Sequence, residues 1–170
     1  LQFPKVIERK QQVVEQLRSG IETLMQTPGI TFVRGFAHFK DGKTVVVGEE
    51  EYTADNIMIA TGSDSKCPPI EGTTLPGVIT STELLDIDHI PERLCIIGAG
   101  VIGMEFASVF SSFGSKVSVI EFLKECLPVL DSDIAKRLRQ TIGKRGVEFS
   151  MQSAVKSIAE TTTKLSLIHI

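Results

Sequence analysis

Leu94-Cys95-Ile96-Ile97-Gly98-Ala99-Gly100-Val101-Ile102-Gly103-Met104-Glu105 decides how this chain folds. A short apolar run enters a turn with glycine at 98, 100 and 103, and a helical pattern starts at once. Leu94, Ile96 and Ile97 predict a buried parallel strand, which shows a continuous apolar run rather than alternation. Ile102, Phe106, Val109, Phe110 and Phe113 recur at helical spacing and predict one apolar face, with Gly114 as the stop. Lys116-Val117-Ser118-Val119-Ile120 predicts a second strand ending in Glu121. The acid falls about 20 residues past the glycines, where a dinucleotide fold places the group that bonds the adenosine ribose. Strand, glycine turn, helix, strand and acid in that order predict a dinucleotide-binding βαβ unit.

Each residue in the unit has a physical task. Gly98 permits the tight turn, Gly100 lets backbone approach a pyrophosphate, and Gly103 lets the helix pack closely on the strand. Amide hydrogens of the helix start near Val101 and Ile102 face the phosphates, aided by the helix dipole. A carboxylate at 121 accepts from ribose hydroxyls and repels a 2′-phosphate. Phe122 and Leu123 follow it, with Lys124 the nearest cation, so NAD is favoured over NADP.

Composition narrows the class. With 170 residues, 42% hydrophobic and 23% charged, the chain can bury a core. A net charge of −3 and the lack of a basic stripe argue against nucleic acid as a partner. No apolar run is long enough to span a bilayer, and the first ten residues lack a signal-peptide core, so a cytoplasmic setting is expected. Cys67, Cys95 and Cys126 show no paired spacing, and His38, His89 and His169 no ligand spacing; neither a catalytic thiol nor a metal site is expected.

Ahead of the glycine turn the organisation differs. Residues 4–25 predict a charged amphipathic helix with Val14, Leu17, Ile21 and Leu24 on one face, broken by Pro28-Gly29. Strand character over 30–39, a turn at Lys40-Asp41-Gly42-Lys43 and Thr44-Val45-Val46-Val47 predict a small antiparallel meander continuing to Tyr52-Thr53. Asn56-Ile57-Met58-Ile59-Ala60 predicts a buried strand ending at Thr61-Gly62-Ser63. Residues 64–91 are rich in Pro, Gly, Ser and Thr, with a short helix opening at Ser81-Thr82-Glu83. After Glu121, Asp131 or Ser132 caps a helix with Ile134, Leu138 and Ile142 on one face, and residues 147–151 predict a third strand.

Four segments together resemble the flavin-dependent pyridine nucleotide–disulfide oxidoreductases, most closely their dihydrolipoyl dehydrogenase branch. They are Ile57 to Ser63, which resembles the flavin-contacting segment; Pro68-Pro69-Ile70-Glu71-Gly72; Gly98 to Glu105 with Glu121; and Leu127-Pro128 through Asp133-Ile134-Ala135. The likeness runs from Pro4 to about Ile158. It implies an α/β fold: part of an FAD-binding domain (helix, antiparallel meander, parallel strand), then part of a Rossmann-type NAD-binding βαβαβ domain. The implied division is 1–80 for the flavin segment, 81–92 as connector and 93–164 for the NAD segment. Carried over residue by residue, Thr61, Gly62 and Ser63 lie beside FAD, and Ala37 contacts its adenine end. Gly98, Gly100, Val101, Ile102 and Gly103 hold the NAD pyrophosphate, Glu105 is the acid near the nicotinamide, Glu121 the ribose acid, and Val155 touches the adenosine side.

The resemblance further implies reoxidation of dihydrolipoyl groups with FAD and NAD+, in a homodimer. Its lipoyl-bearing partner belongs to a 2-oxo acid dehydrogenase or glycine cleavage complex. Alternatives are another family activity, such as a mercuric reductase or NADH oxidase, and a non-enzymatic NAD-binding module. The family's flavin glycine turn, redox cysteine pair and catalytic His-Glu pair have no match here, so the chain is expected to be an inactive internal fragment. Ile57, Met58, Ile59, Val147 and Phe149 are then expected at solvent or unpaired edges. Leu165-Ser166-Leu167-Ile168-His169-Ile170 matches the translation of a transposase adapter used in sequencing libraries, and residues 165–170 are expected to be a non-native tail; the alternative is a native edge strand, which the alternating Leu and Ile suit.

Overall fold

Five parallel strands order the carboxyl-terminal part of the chain in a computed structural model that describes residues 2–160 and 166–169, the last four by backbone alone. In chain order the elements are α1 (Phe3–Met25), β1 (Ala37–Phe39), β2 (Thr44–Val47), β3 (Glu50–Thr53), β4 (Val78–Thr80), α2 (Ser81–Leu84), β5 (Arg93–Ile97), α3 (Val101–Phe113), β6 (Lys116–Ile120), α4 (Ser132–Gly143), β7 (Glu148–Ser150) and β8 (Ser166–His169). The chain groups into two units, Glu8–Ser63 and the remainder, so residues 64–92 belong with the parallel sheet.

In the larger unit the sheet order is β4-β8-β5-β6-β7. The expected βαβαβ run is β5-α3-β6-α4-β7, with Ile97 paired to Ile120 and Val119 to Phe149. Leu94, Ile96 and Val119 are almost wholly buried and form the core with Met104, Ala107, Phe110 and Ile142. Each such aliphatic side chain contributes about 1.5–3 kcal/mol by leaving water. Gly114 ends α3 in the left-handed region at φ 100°, its N–H donating to Phe110 and Ser111 carbonyls. Asp131 proves to be the cap of α4, its Oδ1 accepting from the Asp133 and Ile134 amides. Thr80 and Glu83 form a capping box on α2.

Several sequence expectations shift. α3 buries Gly103, Met104, Ala107 and Phe110, whereas Ile102 and Val109 remain 44% and 42% exposed. Its apolar arc is wider than the contact with β5 and β6, so only one stripe meets the sheet. α4 buries Ala135 and Ile142 but leaves Ile134 exposed, because the small alanine lets the helix lie close. Val147 is buried and Phe149 half-buried against the core, although β7 is an edge strand. β4 has no strand signal in the sequence, whereas β8 falls within 165–170, where a native edge strand is the alternative to a tail. The backbone of β8 lies between β4 and β5, with Leu167 opposite Val78 and Cys95; Leu165 and Ile170 of the expected tail lie outside the described residues.

The smaller unit holds most of α1 and the expected meander, order β1-β2-β3, with Ala37 opposite Val47 and Val45 opposite Tyr52. The first strand is shorter than the 30–39 alternation suggests. The α1 face does not become core: Leu17, Ile21 and Leu24 are each more than half exposed. Residues 57–60 are not a strand. No backbone hydrogen bond joins 57–63 to any described residue, and Met58 stays 89% exposed. An apolar run becomes a strand only beside a partner that supplies its ladder, and no described residue does.

Candidate functional site

The site forms where β5 and β6 end side by side. Ile97 and Ile120 are paired, so Gly98 and Glu121 leave the sheet together, and the Gly98 N–H donates to the Ile120 carbonyl at 2.8 Å. Gly98 then turns with φ 103°, a conformation only glycine adopts readily. A Cβ on Gly103 would lie 2.3 Å from the Gly98 carbonyl oxygen, so this glycine sets how closely α3 approaches the strand. A Cβ on Gly100 would meet nothing within 4 Å. Gly100 is extended (φ −72°, ψ −175°), so it serves by leaving room, not by unusual backbone.

Past the turn, the N–H groups of Gly100, Val101, Ile102 and Gly103 make no hydrogen bond to any described residue. No acid occupies the first turn of α3. Four such donors at the positive end of a 13-residue helix are the groups with which a helix start can cradle an anion.

Glu121 is buried, 9% exposed, at the rim of this cradle. Its Oε2 accepts from the Ala99 N–H at 2.6 Å and its Oε1 from the Leu123 N–H at 2.8 Å. A carboxylate offers about four acceptor positions, so about two stay open for hydroxyl donors. The acid thus braces the glycine turn from both of its oxygens, a task not visible in the sequence.

The other candidates are placed as follows. Ile102 and Glu105 line a shallow groove of about 630 Å³ with Ser81, Leu85, Phe106, Ser108 and Val109. Glu105 is its exposed acid among mainly apolar neighbours. Val155 is half-buried in an irregular segment after β7. Thr61, Gly62 (φ 79°) and Ser63 are exposed, as is Ala37 in β1; all four belong to the smaller unit.

Sequence reasoning missed Ala99, Leu127 and the pair Glu125–Arg139. Arg139 donates Nε to Glu125 Oε1 at 2.6 Å and Nη2 to Oε2 at 2.9 Å. That fork holds the Glu125 carboxyl down at about 2. The pair's stabilisation is complete above the ordinary carboxylate range and is lost as pH falls through that depressed value. Fourteen residues separate the partners, a spacing that carries no local signal.

Burial pushes the Cys126 thiol up to about 11, and burial also raises Cys95. Both stay protonated at neutral pH, and both are buried, whereas Cys67 is exposed. Iodoacetamide at pH 7.5 should therefore label Cys67 alone in the native protein and all three cysteines in denaturant. Peptide mass mapping reads this out, and rapid native labelling of Cys126 contradicts it. Among the described residues no group of three or more His, Cys, Asp or Glu side chains gathers, and no helix is long and apolar enough to cross a membrane.

This geometry, parallel strands with a glycine turn, an open helix start and a rim carboxylate, is that of a dinucleotide-binding α/β unit. The chain belongs to the pyridine nucleotide-disulphide oxidoreductase family, which it matches over residues 1–169. It is 39% identical over 169 residues to a dihydrolipoyl dehydrogenase of Acholeplasma laidlawii, covering 97% of this chain and 50% of that protein. A dihydrolipoamide dehydrogenase of Chaetomium thermophilum is 36% identical over 163 residues, covering 91% of this chain and 32% of that one. The solved structure of the HOCl-induced flavoprotein disulfide reductase RclA from Escherichia coli, as its Cu(II) complex, superposes with a TM-score of 0.86 at 34% identity. That match covers 100% of this chain and 42% of the other. The chain thus spans 32% to 50% of these relatives.

Proposed function

We propose that this chain is the part of a flavoprotein oxidoreductase that seats NAD and one side of FAD, and that the whole protein reoxidises dihydrolipoyl groups with NAD+. The observation that carries the NAD assignment is the cradle: four open N–H groups, a Gly100 with free space before it, and the Glu121 carboxylate at its rim. Gly98, Gly100, Val101, Ile102 and Gly103 hold the pyrophosphate, Glu121 accepts from the ribose, Val155 flanks the adenosine, and Glu105 stands near the nicotinamide. FAD fits the exposed backbone of Thr61-Gly62-Ser63, whose amides have no described partner, with Ala37 toward its adenine. When bound, the two cofactors supply the redox chemistry, accepting electrons from the dihydrolipoyl group by way of a cysteine pair. The chain's own residues bind, orient and select.

Identity to two dihydrolipoyl dehydrogenases supports the substrate class, a lipoyl-bearing component of a 2-oxo acid dehydrogenase or glycine cleavage complex, and a cytoplasmic homodimer follows the same reading. The likeness to RclA supports a second reading, another disulfide reductase of the family. Expression of the protein from its complete gene, with NAD+ reduction assayed on dihydrolipoamide, separates the two: absent turnover in a flavin-loaded protein favours the second. In either case Glu121→Ala should weaken NAD(H) binding by at least about 1.5–3 kcal/mol, the worth of a hydrogen bond to a charged group, because it removes the ribose acceptor and also the brace on the Ala99 amide. Adding Phe122→Arg, at an exposed position, should move preference toward NADP(H). Unchanged constants for both cofactors in the alanine variant would remove Glu121 from the site.

A further inference from the structure

The segment between β6 and α4 reaches back into the glycine turn. Both backbone groups of Ala99 are engaged: its N–H donates to Glu121, and its carbonyl accepts from the Leu127 N–H at 2.9 Å. A trans peptide is planar with C=O and N–H opposed. The bond from Leu127 therefore sets the direction of the Gly100 N–H, aiming it away from Leu127 as one of the four open donors.

Leu127 delivers that bond from an unfavourable backbone state. Its φ is 51°, a left-handed value that a leucine keeps only when its surroundings impose it. Its side chain is buried at 3% exposure. The loop around it is fastened to α4 at two points. Glu125 takes the Arg139 fork and also accepts from the Cys126 N–H at 3.0 Å, while the Cys126 thiol donates to the Ala135 carbonyl at 3.4 Å.

We propose that Arg139 is a positioning residue for dinucleotide binding: through Glu125 it holds Leu127, and Leu127 fixes the Gly100 N–H toward the pyrophosphate. This rests on the NAD reading above. The bland alternative is an ion pair that merely stabilises the fold, which would not single out one cofactor. Arg is suited to the task because its planar fork fixes the carboxylate in direction as well as distance; a lysine would attract it without orienting it.

The test uses the full-length flavoprotein carrying Arg139→Met, Arg139→Lys or Gly100→Val, with KM and Kd for NADH, KM for the disulfide or dithiol substrate, and flavin content measured for each. Arg139→Met should raise KM and Kd for NADH by roughly 3- to 30-fold, the range of mutations that act through packed networks. The change should fall on NADH, with the KM of the second substrate and the flavin content holding. Arg139→Lys, which keeps the charge and is expected to fold even if the methionine variant does not, should show a smaller shift of the same kind. Normal NADH affinity in the lysine variant together with normal affinity, or a uniform loss including flavin, in the methionine variant overturns the proposal. Gly100→Val separates the two levels: if it too keeps NADH affinity, the NAD site itself is misplaced, whereas its loss beside unaffected Arg139 variants condemns only the positioning role.

Discussion

Replacing Gly100 by valine should leave a folded, flavin-containing protein that has lost NAD(H). The backbone there is ordinary extended chain, which valine adopts without strain, and a Cβ would meet no atom within 4 Å. The cost to stability is then limited to a poorer helix cap, about 1 kcal/mol or less. The space that Gly100 leaves is where a pyrophosphate must approach the four free amides, and a branched side chain fills it. Because every one of those bonds depends on the approach, affinity should fall by about 100-fold or more, or about 2.8 kcal/mol. Titration of NADH fluorescence beside a thermal melt checks both halves. A variant that melts normally and still binds NADH with normal affinity would show that the phosphates sit elsewhere.

Gly103→Ala should fail in the opposite way. Its added methyl would lie 2.3 Å from the Gly98 carbonyl oxygen and 3.3 Å from Ile96 Cγ2, and the first of these is backbone that cannot swing aside. Either α3 lifts from β5 or the glycine turn deforms. Overpacking of this kind costs about 1–3 kcal/mol, and the displaced helix start also misaims its amides. A lowered melting temperature with weakened NADH binding is the expected pair of results. Unchanged stability would mean that the helix has slack the close contact does not suggest. The two glycines, three residues apart in one motif, thus separate ligand space from packing space.

Much of this was readable from the amino-acid order because its causes are local. Glycine at 98, 100 and 103 between an apolar run and a helical pattern leaves one way to build a parallel strand, a turn and a helix, and Glu121 follows from the length of the next strand. The stop at Gly114 and the cap at Asp131 are contacts within a few residues, and such signals survive without tertiary information. Periodicity also marked which helices are amphipathic. It did not say which part of each apolar arc would meet a neighbour, so Ile102 and Val109 stayed half exposed and Ile134 more so. Nor could it tell that residues 57–60 would find no ladder among the described residues, since a strand is a relation between two segments rather than a property of one.

Only the tertiary structure decided the rest of the site. The clasp of Ala99 between Glu121 and Leu127 and the fork from Arg139 to Glu125 join residues 14 to 28 positions apart, with distances set by how β5, β6 and α4 pack. The left-handed Leu127 carries no glycine or asparagine to announce it. The order β4-β8-β5 pairs segments that are far apart in sequence, a nonlocal choice. Local sequence thus specified the cradle's parts because short-range sterics and capping suffice for them; long-range packing specified how the parts are held, because that holding is done by residues that meet only once the chain has folded.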